Sequence, residues 1–191
     1  MIKEKAMKKV KVVLFKAYKR IDRDLSRKLF LKANELCFSE EERPKKRACR
    51  EDGKPIFLDR SDVKFSVSHS ENWYLAAFCI DSEVGIDIEV LRQVNVKQER
   101  IAKRFFDPSE QEILKREPAD FLKIWTKKEA TVKLNGKGIG GLKSTDEDSK
   151  KLYFTDISER LGELCNENIA GTLCCEEEFY CDIIRGEDFN G

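Results

Sequence analysis

Histidine is nearly absent: His69 is the only one in 191 residues. A structural zinc site would therefore have to rest on thiolates, yet the seven cysteines, at positions 37, 49, 79, 165, 174, 175 and 181, include no C-x-x-C pair. No zinc-held fold is expected, and the cysteines read as reduced, mostly buried small apolar residues. Cys174 and Cys175 are adjacent, so in a strand they point to opposite faces and serve two environments. Neither sign of charge is in excess, with 37 Lys and Arg against 36 Asp and Glu. The whole-molecule field then draws in neither nucleic acid nor membrane, and any anion site has to be local. Long apolar runs are missing too. Those present, such as Val12-Val13-Leu14-Phe15, fall far short of a membrane span, and the lysine-rich start lacks the apolar core of a signal peptide, which predicts a soluble, cytoplasmic protein. The glycine-rich stretch Asn135 to Gly141 lacks the Gly-Lys-Ser/Thr ending of a phosphate-cradling loop and follows a helical pattern, so Gly136 is expected to cap that helix. No internal repeat and no linker composition divides the chain.

What is present centres on Val84-Gly85-Ile86-Asp87-Ile88-Glu89-Val90. In a strand, Ile86, Ile88 and Val90 share one face while Asp87 and Glu89 stand side by side on the other, which reads as an open polar face. A helix is predicted from about Asp120 to Asn135, with Phe121, Trp125 and Val132 marking its buried stripe. Glu129 lies one turn from both Trp125 and Val132, so a carboxylate occupies the apolar side and needs a cation. Lys133, four residues on, supplies an ordinary helical ion pair worth about 0.3 to 0.5 kcal/mol. Alternatively, Glu129 joins Asp87 and Glu89 around a metal, and three carboxylates with waters and phosphate oxygens suit Mg²⁺.

Upstream, Lys9 to Tyr18 reads as a strand, followed by a helix capped by Asp22 with Leu25, Leu29, Ala33 and Leu36 on its packing face. The run from Arg43 to Arg50 carries five basic residues in eight and leads into Gly53-Lys54-Pro55, which favours a phosphate-facing role. Val63 to Val67 delivers Ser68-His69-Ser70, and Tyr74 to Ile80 reads as a second strand. With the carboxylate strand as the third, a small antiparallel meander would bring His69, Asp87 and Glu89 to one side. Asp107-Pro108-Ser109-Glu110 opens another helix. Strands are expected at 152–155, 172–175 and 179–184, giving an α+β arrangement.

Gly85-Ile86-Asp87-Ile88-Glu89 followed by Trp125-x-x-Lys128-Glu129-x-x-x-Lys133 resembles the paired signature of the 4′-phosphopantetheinyl transferases, in particular their surfactin-synthetase-activating branch. Arg50-x-x-Gly53-Lys54-Pro55 and Ser68-His69-Ser70 with Trp73 also match, all four in the family's order. The resemblance implies an α+β fold of two pseudo-twofold-related halves, about 1–95 and 96–191 of one domain, with coenzyme A between them. It implies Mg²⁺-dependent transfer of 4′-phosphopantetheine from coenzyme A to a serine of an acyl or peptidyl carrier protein, by a monomer. On this likeness Asp87, Glu89 and Glu129 hold Mg²⁺, and Glu129 or a metal-bound water takes the serine proton. Lys133 meets charge on the leaving 3′,5′-ADP, while Lys54, Pro55, Ser68, His69, Lys128 and Lys133 contact the coenzyme. The N-terminal residues that grip the 3′-phosphate in relatives have no clear counterparts, and Arg43, Lys45, Lys46 and Arg47 are the candidates to replace them. Carrier domains are commonly acidic, which makes Ile101 to Phe106 a candidate docking face or else an amphipathic core helix. Two other readings use the same residues: a non-catalytic coenzyme A or carrier-binding protein, and a Mg²⁺-dependent phosphohydrolase.

Overall fold

Strand β1 (Lys8–Lys16) has no open face, which accounts for its continuous apolar run. Val10, Val12 and Leu14 point into one core, while Val13 and Phe15 point into another on the opposite side of the sheet. A strand covered on both faces needs apolar residues at successive positions rather than alternate ones. The computed structural model describes residues 6–91, 96–143 and 151–189.

The first sheet has the order β4–β5–β1–β9, with β4 spanning Val63–Ser70, β5 Trp73–Ile80 and β9 Phe179–Arg185. β1 runs antiparallel to β5, with Val12 opposite Ala77, and parallel to β9, with Val12 opposite Ile183. Helix α1 (Arg23–Cys37) covers one face; Asp22 caps it by accepting from the Leu25 N–H at 2.8 Å. Leu25, Leu29, Phe30, Ala33 and Cys37 pack there with Phe57, Phe65 and Phe78. Leu36 is half exposed, because it lies at the rim of an arc centred on Leu29, Phe30, Ala33 and Cys37. The short strands β2 (Arg47–Cys49) and β3 (Pro55–Phe57) form a separate hairpin.

The expected meander stops after two strands. β6 (Val84–Val90) pairs instead with β8 (Ile169–Cys175), which also pairs with β7 (Tyr153–Asp156), in a second sheet of order β6–β8–β7. The edge of β6 that faces β4 meets serine side chains in place of backbone. Ile86 and Ile88 fill the core between the sheets, with Leu161 of α5 (Ser158–Cys165) beneath them. That helix has only eight residues and two buried side chains, too few to show a helical period in sequence.

Helices α2 (Val96–Phe105), α3 (Pro108–Arg116) and α4 (Phe121–Asn135) follow β6. Asp107 and Glu110 form the anticipated capping box on α3, and Gly136, at φ 75°, caps α4 with its N–H donating to the Val132 carbonyl at 2.9 Å. Within the candidate docking segment, Ala102 and Phe106 are buried and Ile101 and Phe105 pack against the same cluster, so its apolar side is core and only Lys103 and Arg104 face solvent. Cys174 packs with Ala130 and Leu134 of α4 while Cys175 belongs to the inter-sheet core, as adjacent strand residues should. Among the described residues no helix is long and apolar enough to cross a membrane.

Candidate functional site

Helix α4 lies directly on β6, and Gly85 makes this possible. A Cβ at that position would stand 2.0 Å from the Ala130 carbonyl oxygen, so any larger residue would push the helix off the strand. The face carrying Asp87 and Glu89 is therefore roofed rather than open, and Asp87 is only 5% exposed.

Along the other edge of β6, three alternate serines of β4 accept its outward N–H groups: Ser66 from Ile86 at 3.2 Å, Ser68 from Ile88 at 3.3 Å and Ser70 from Val90 at 3.1 Å. Two of these hydroxyls also donate, Ser68 to Asp87 Oδ1 at 2.7 Å and Ser70 to Glu89 Oε2 at 2.8 Å. Ser66 would meet residue 85 in the same pattern, and that residue is glycine. Of the three, the sequence reading gives a coenzyme role to Ser68 alone and names Ser70 only within the Ser68-His69-Ser70 motif. The sign to look for was Ser-x-Ser-x-Ser at strand period, placed before Asp-x-Glu.

Lys133 of α4 completes the cluster, its Nζ lying 2.6 Å from Asp87 Oδ1 and 2.8 Å from Ser68 Oγ. It pairs with the strand rather than with Glu129, its neighbour one turn back. Asp87 Oδ2 is buried with no hydrogen-bond partner. Burial raises the Glu129 carboxyl above its ordinary range, and the negative charges of Asp87 and Glu89 add to the effect while Lys133 opposes it. Glu89 is likewise raised, first by burial and then by Asp87, with Ser70, Lys133 and the Trp125 indole pulling it back. Three carboxyl groups and one ammonium thus share a single electrostatic neighbourhood with negative charge in surplus.

Such a donor set fits a hard divalent cation, and the unpartnered Asp87 oxygen is where a ligand would satisfy it. Among the described residues no three His, Cys, Asp or Glu side chains converge closely enough to form a metal group by themselves. Mg²⁺ commonly takes one or two protein carboxylates and completes its shell with water and substrate phosphate.

The remaining candidates divide. Pro55 and Lys54 line a cleft of about 290 Å³ with Gly53, Ser66, Glu129 and Lys133, between the β2–β3 turn and the end of α4. The Lys54 ammonium is buried and committed to Glu83 and the Leu134 carbonyl, so it anchors the end of α4 and offers the cleft its stem. His69 turns to the opposite side of β4 from Ser68, into a separate cleft with Lys19 and Arg20. It still feels the site: burial lowers its pKa, Lys133 lowers it further and Asp87 raises it. Lys128 is elsewhere, buried 2.8 Å from Glu110 of α3 and tying the two helices together. The basic run is partly engaged within the fold. Arg43 lies 3.9 Å from Glu35, the Lys45 and Lys46 N–H groups bond to Asp59, Arg47 stacks over Phe30 and Arg50 pairs with Asp52. Lys19 and Arg20, which no sequence pattern singled out, are the cations beside His69.

A family model described as the 4′-phosphopantetheinyl transferase superfamily matches residues 83–182, more than half of the chain. The chain belongs to that superfamily. The matched part runs from just before β6 into β9 and holds Asp87, Glu89, Glu129 and Lys133. This superfamily member is 41% identical over 102 residues to the 4′-phosphopantetheinyl transferase HetI of Nostoc sp., covering 49% of this chain and 43% of HetI. It is 41% identical over 96 residues to the 4′-phosphopantetheinyl transferase Sfp of Bacillus subtilis, covering 47% of this chain and 41% of Sfp. A longer match, 30% identical over 134 residues, relates it to the 4′-phosphopantetheinyl transferase AcpT of Escherichia coli O157:H7, covering 68% of this chain and 65% of AcpT. The matched stretch is thus less than half the length of HetI or Sfp.

Proposed function

We propose that this protein transfers the 4′-phosphopantetheine group of coenzyme A to a serine hydroxyl of an acyl or peptidyl carrier protein. The observation that carries the reading is the gathering of Asp87, Glu89, Glu129 and Lys133 where α4 crosses β6, inside the segment matched by the superfamily model. The superfamily names the group that is moved; the site supplies charges suited to moving it.

Asp87 and Glu89 would hold Mg²⁺ directly and Glu129 through a bound water, and the ion when bound offsets the charge of the coenzyme diphosphate and polarises the phosphorus under attack. Glu129 is the general base for the carrier serine, a weak nucleophile until its proton is removed. A carboxyl raised by burial and by neighbouring negative charge holds that proton better than an exposed one. As the new serine O–P bond forms, the bond from that phosphorus to the bridging diphosphate oxygen breaks. The electron pair leaves on 3′,5′-ADP, and Lys133 stands ready to meet that charge. Pro55 and the Lys54 stem wall the cleft for the nucleotide, with Ser68 on the phosphate side, and His69 would meet the coenzyme only from the separate cleft it lines with Lys19 and Arg20. Coenzyme A then lies between the two halves of one chain, and a monomer suffices.

The test is the intact mass of an apo carrier after incubation with this protein, coenzyme A and Mg²⁺, beside an EDTA control. A Mg²⁺-dependent gain of one phosphopantetheine is expected. No gain on fatty-acid, polyketide and peptide carriers, with coenzyme A still bound, would favour a binding protein of the same fold.

A further inference from the structure

The serines between β4 and β6 do more than close a strand edge. A hydroxyl has one donor and two acceptor positions, so it can take a backbone N–H and still give its own proton. Ser70 does both, accepting from Val90 at 3.1 Å and donating to Glu89 Oε2 at 2.8 Å. Ser68 repeats the pattern two residues earlier with Ile88 and Asp87 Oδ1. In each carboxylate one oxygen is committed to a serine, and in Asp87 the other is buried without a partner. Merely sealing the edge would need no such donation: Ser66 accepts from Ile86 opposite a glycine and serves no carboxylate.

We propose that Ser70 is a positioning residue for Glu89, fixing the side chain through Oε2 so that its other oxygen is presented beside the free Asp87 oxygen to a divalent cation. The inference rests on the transfer reading only for the kind of ion. Ser70 touches neither coenzyme nor carrier in this account; it acts through Glu89, as outer partners of metal ligands generally do.

Mn²⁺ affinity of the full-length protein, measured calorimetrically with coenzyme A bound and no carrier present, tests this directly. Ser70→Ala should weaken Mn²⁺ binding about tenfold and raise the Mg²⁺ concentration for half-maximal transfer by a similar factor, as removal of an outer partner typically does. The rate at saturating Mg²⁺ and the unfolding midpoint in EDTA should change little, and Ser70→Thr should restore the affinity. In a Glu89→Gln background, Ser70→Ala should cause no further loss. Unchanged Mn²⁺ affinity, or an equal loss with and without Glu89, would overturn the proposal, as would a wild-type chain that binds no Mn²⁺. A wild-type chain that binds Mn²⁺ but modifies no carrier would sink the transfer reading while leaving the positioning role intact.

Discussion

Besides the exposed Lys123–Asp120 pair, three lysines meet carboxylates around α4, and one of the three leaves its partner unfinished. Lys54 is held by Glu83 and the Leu134 carbonyl. Lys128 is held by Glu110, whose carboxylate also accepts the Asp107 N–H at 2.8 Å. In both places the lysine is fully engaged, with Glu83 also near Arg50 and Lys64, and the group is structural. Lys133 instead shares Asp87 with a serine, leaves Asp87 Oδ2 unpartnered, and faces two further carboxyls whose pKa values burial raises. A buried pair that satisfies itself is architecture; one with surplus like charge and a free acceptor is prepared for a ligand.

Breaking a matched pair should produce the largest change. Lys128→Met leaves Glu110 without its cation and should cost about 3 kcal/mol, at the lower end for a broken buried pair. Thermal unfolding would show this as a midpoint lowered by about 6 to 12 °C for a chain of this size. Transfer by the molecules that remain folded should be nearly normal. Lys133→Ala adds a loss of function that Lys128→Met lacks: about 100-fold slower transfer, the scale of losing one charge-stabilising donor, beside the destabilisation of leaving the buried Asp87 without its cation. Carrier modification rates and melting curves on both variants would measure the contrast, and equal losses of transfer rate would erase it.

Glu129→Gln sharpens the comparison through pH. The folded carboxyl is raised above its ordinary value of 4.5, so the fold favours the neutral form, and its charged form costs stability progressively as pH climbs from that value through the folded one. At neutral pH in EDTA the variant should therefore melt higher than wild type, with the gain fading toward pH 4, while transfer falls. Glu89→Gln should behave alike, and full activity of either variant at limiting Mg²⁺ would remove that residue from the metal site. The smallest effect belongs to the exposed basic run: Lys45→Ala with Lys46→Ala should stay within about 0.5 kcal/mol of wild-type stability. It should leave the coenzyme A concentration for half-maximal transfer unchanged, because both side chains are exposed and only their N–H groups are engaged, by Asp59.

This contrast was only half visible in the sequence. Alternation in Gly85 to Val90 gave the face of Asp87 and Glu89, and helical spacing put Glu129 on the buried side of α4, because both patterns are local. Lys128 and Lys133 are equivalent in a motif, and what separates them is a partner from a different element: Glu110 for one, Asp87 for the other. The departure of β6 from its expected sheet was hidden for the same reason, since pairing with β8 is set by residues some 80 positions away. Ser66 and Ser70 have no assignable role in the sequence until β6 is laid against them.

The parallel pairing of β1 with β9 also bears on how the chain reaches this structure. Residues 8–14 find their partners at 179–185, so the first sheet closes only after about 170 further residues have been made. Until then β1 has one paired edge and Val12 lacks its neighbour Ile183, leaving the inter-sheet core open during synthesis. Contacts this distant cost chain entropy before they return any burial, so folding should be late and limited by the docking of β9. Nascent chains held on the ribosome before β9 emerges would be the protease-sensitive, chaperone-dependent form of this protein.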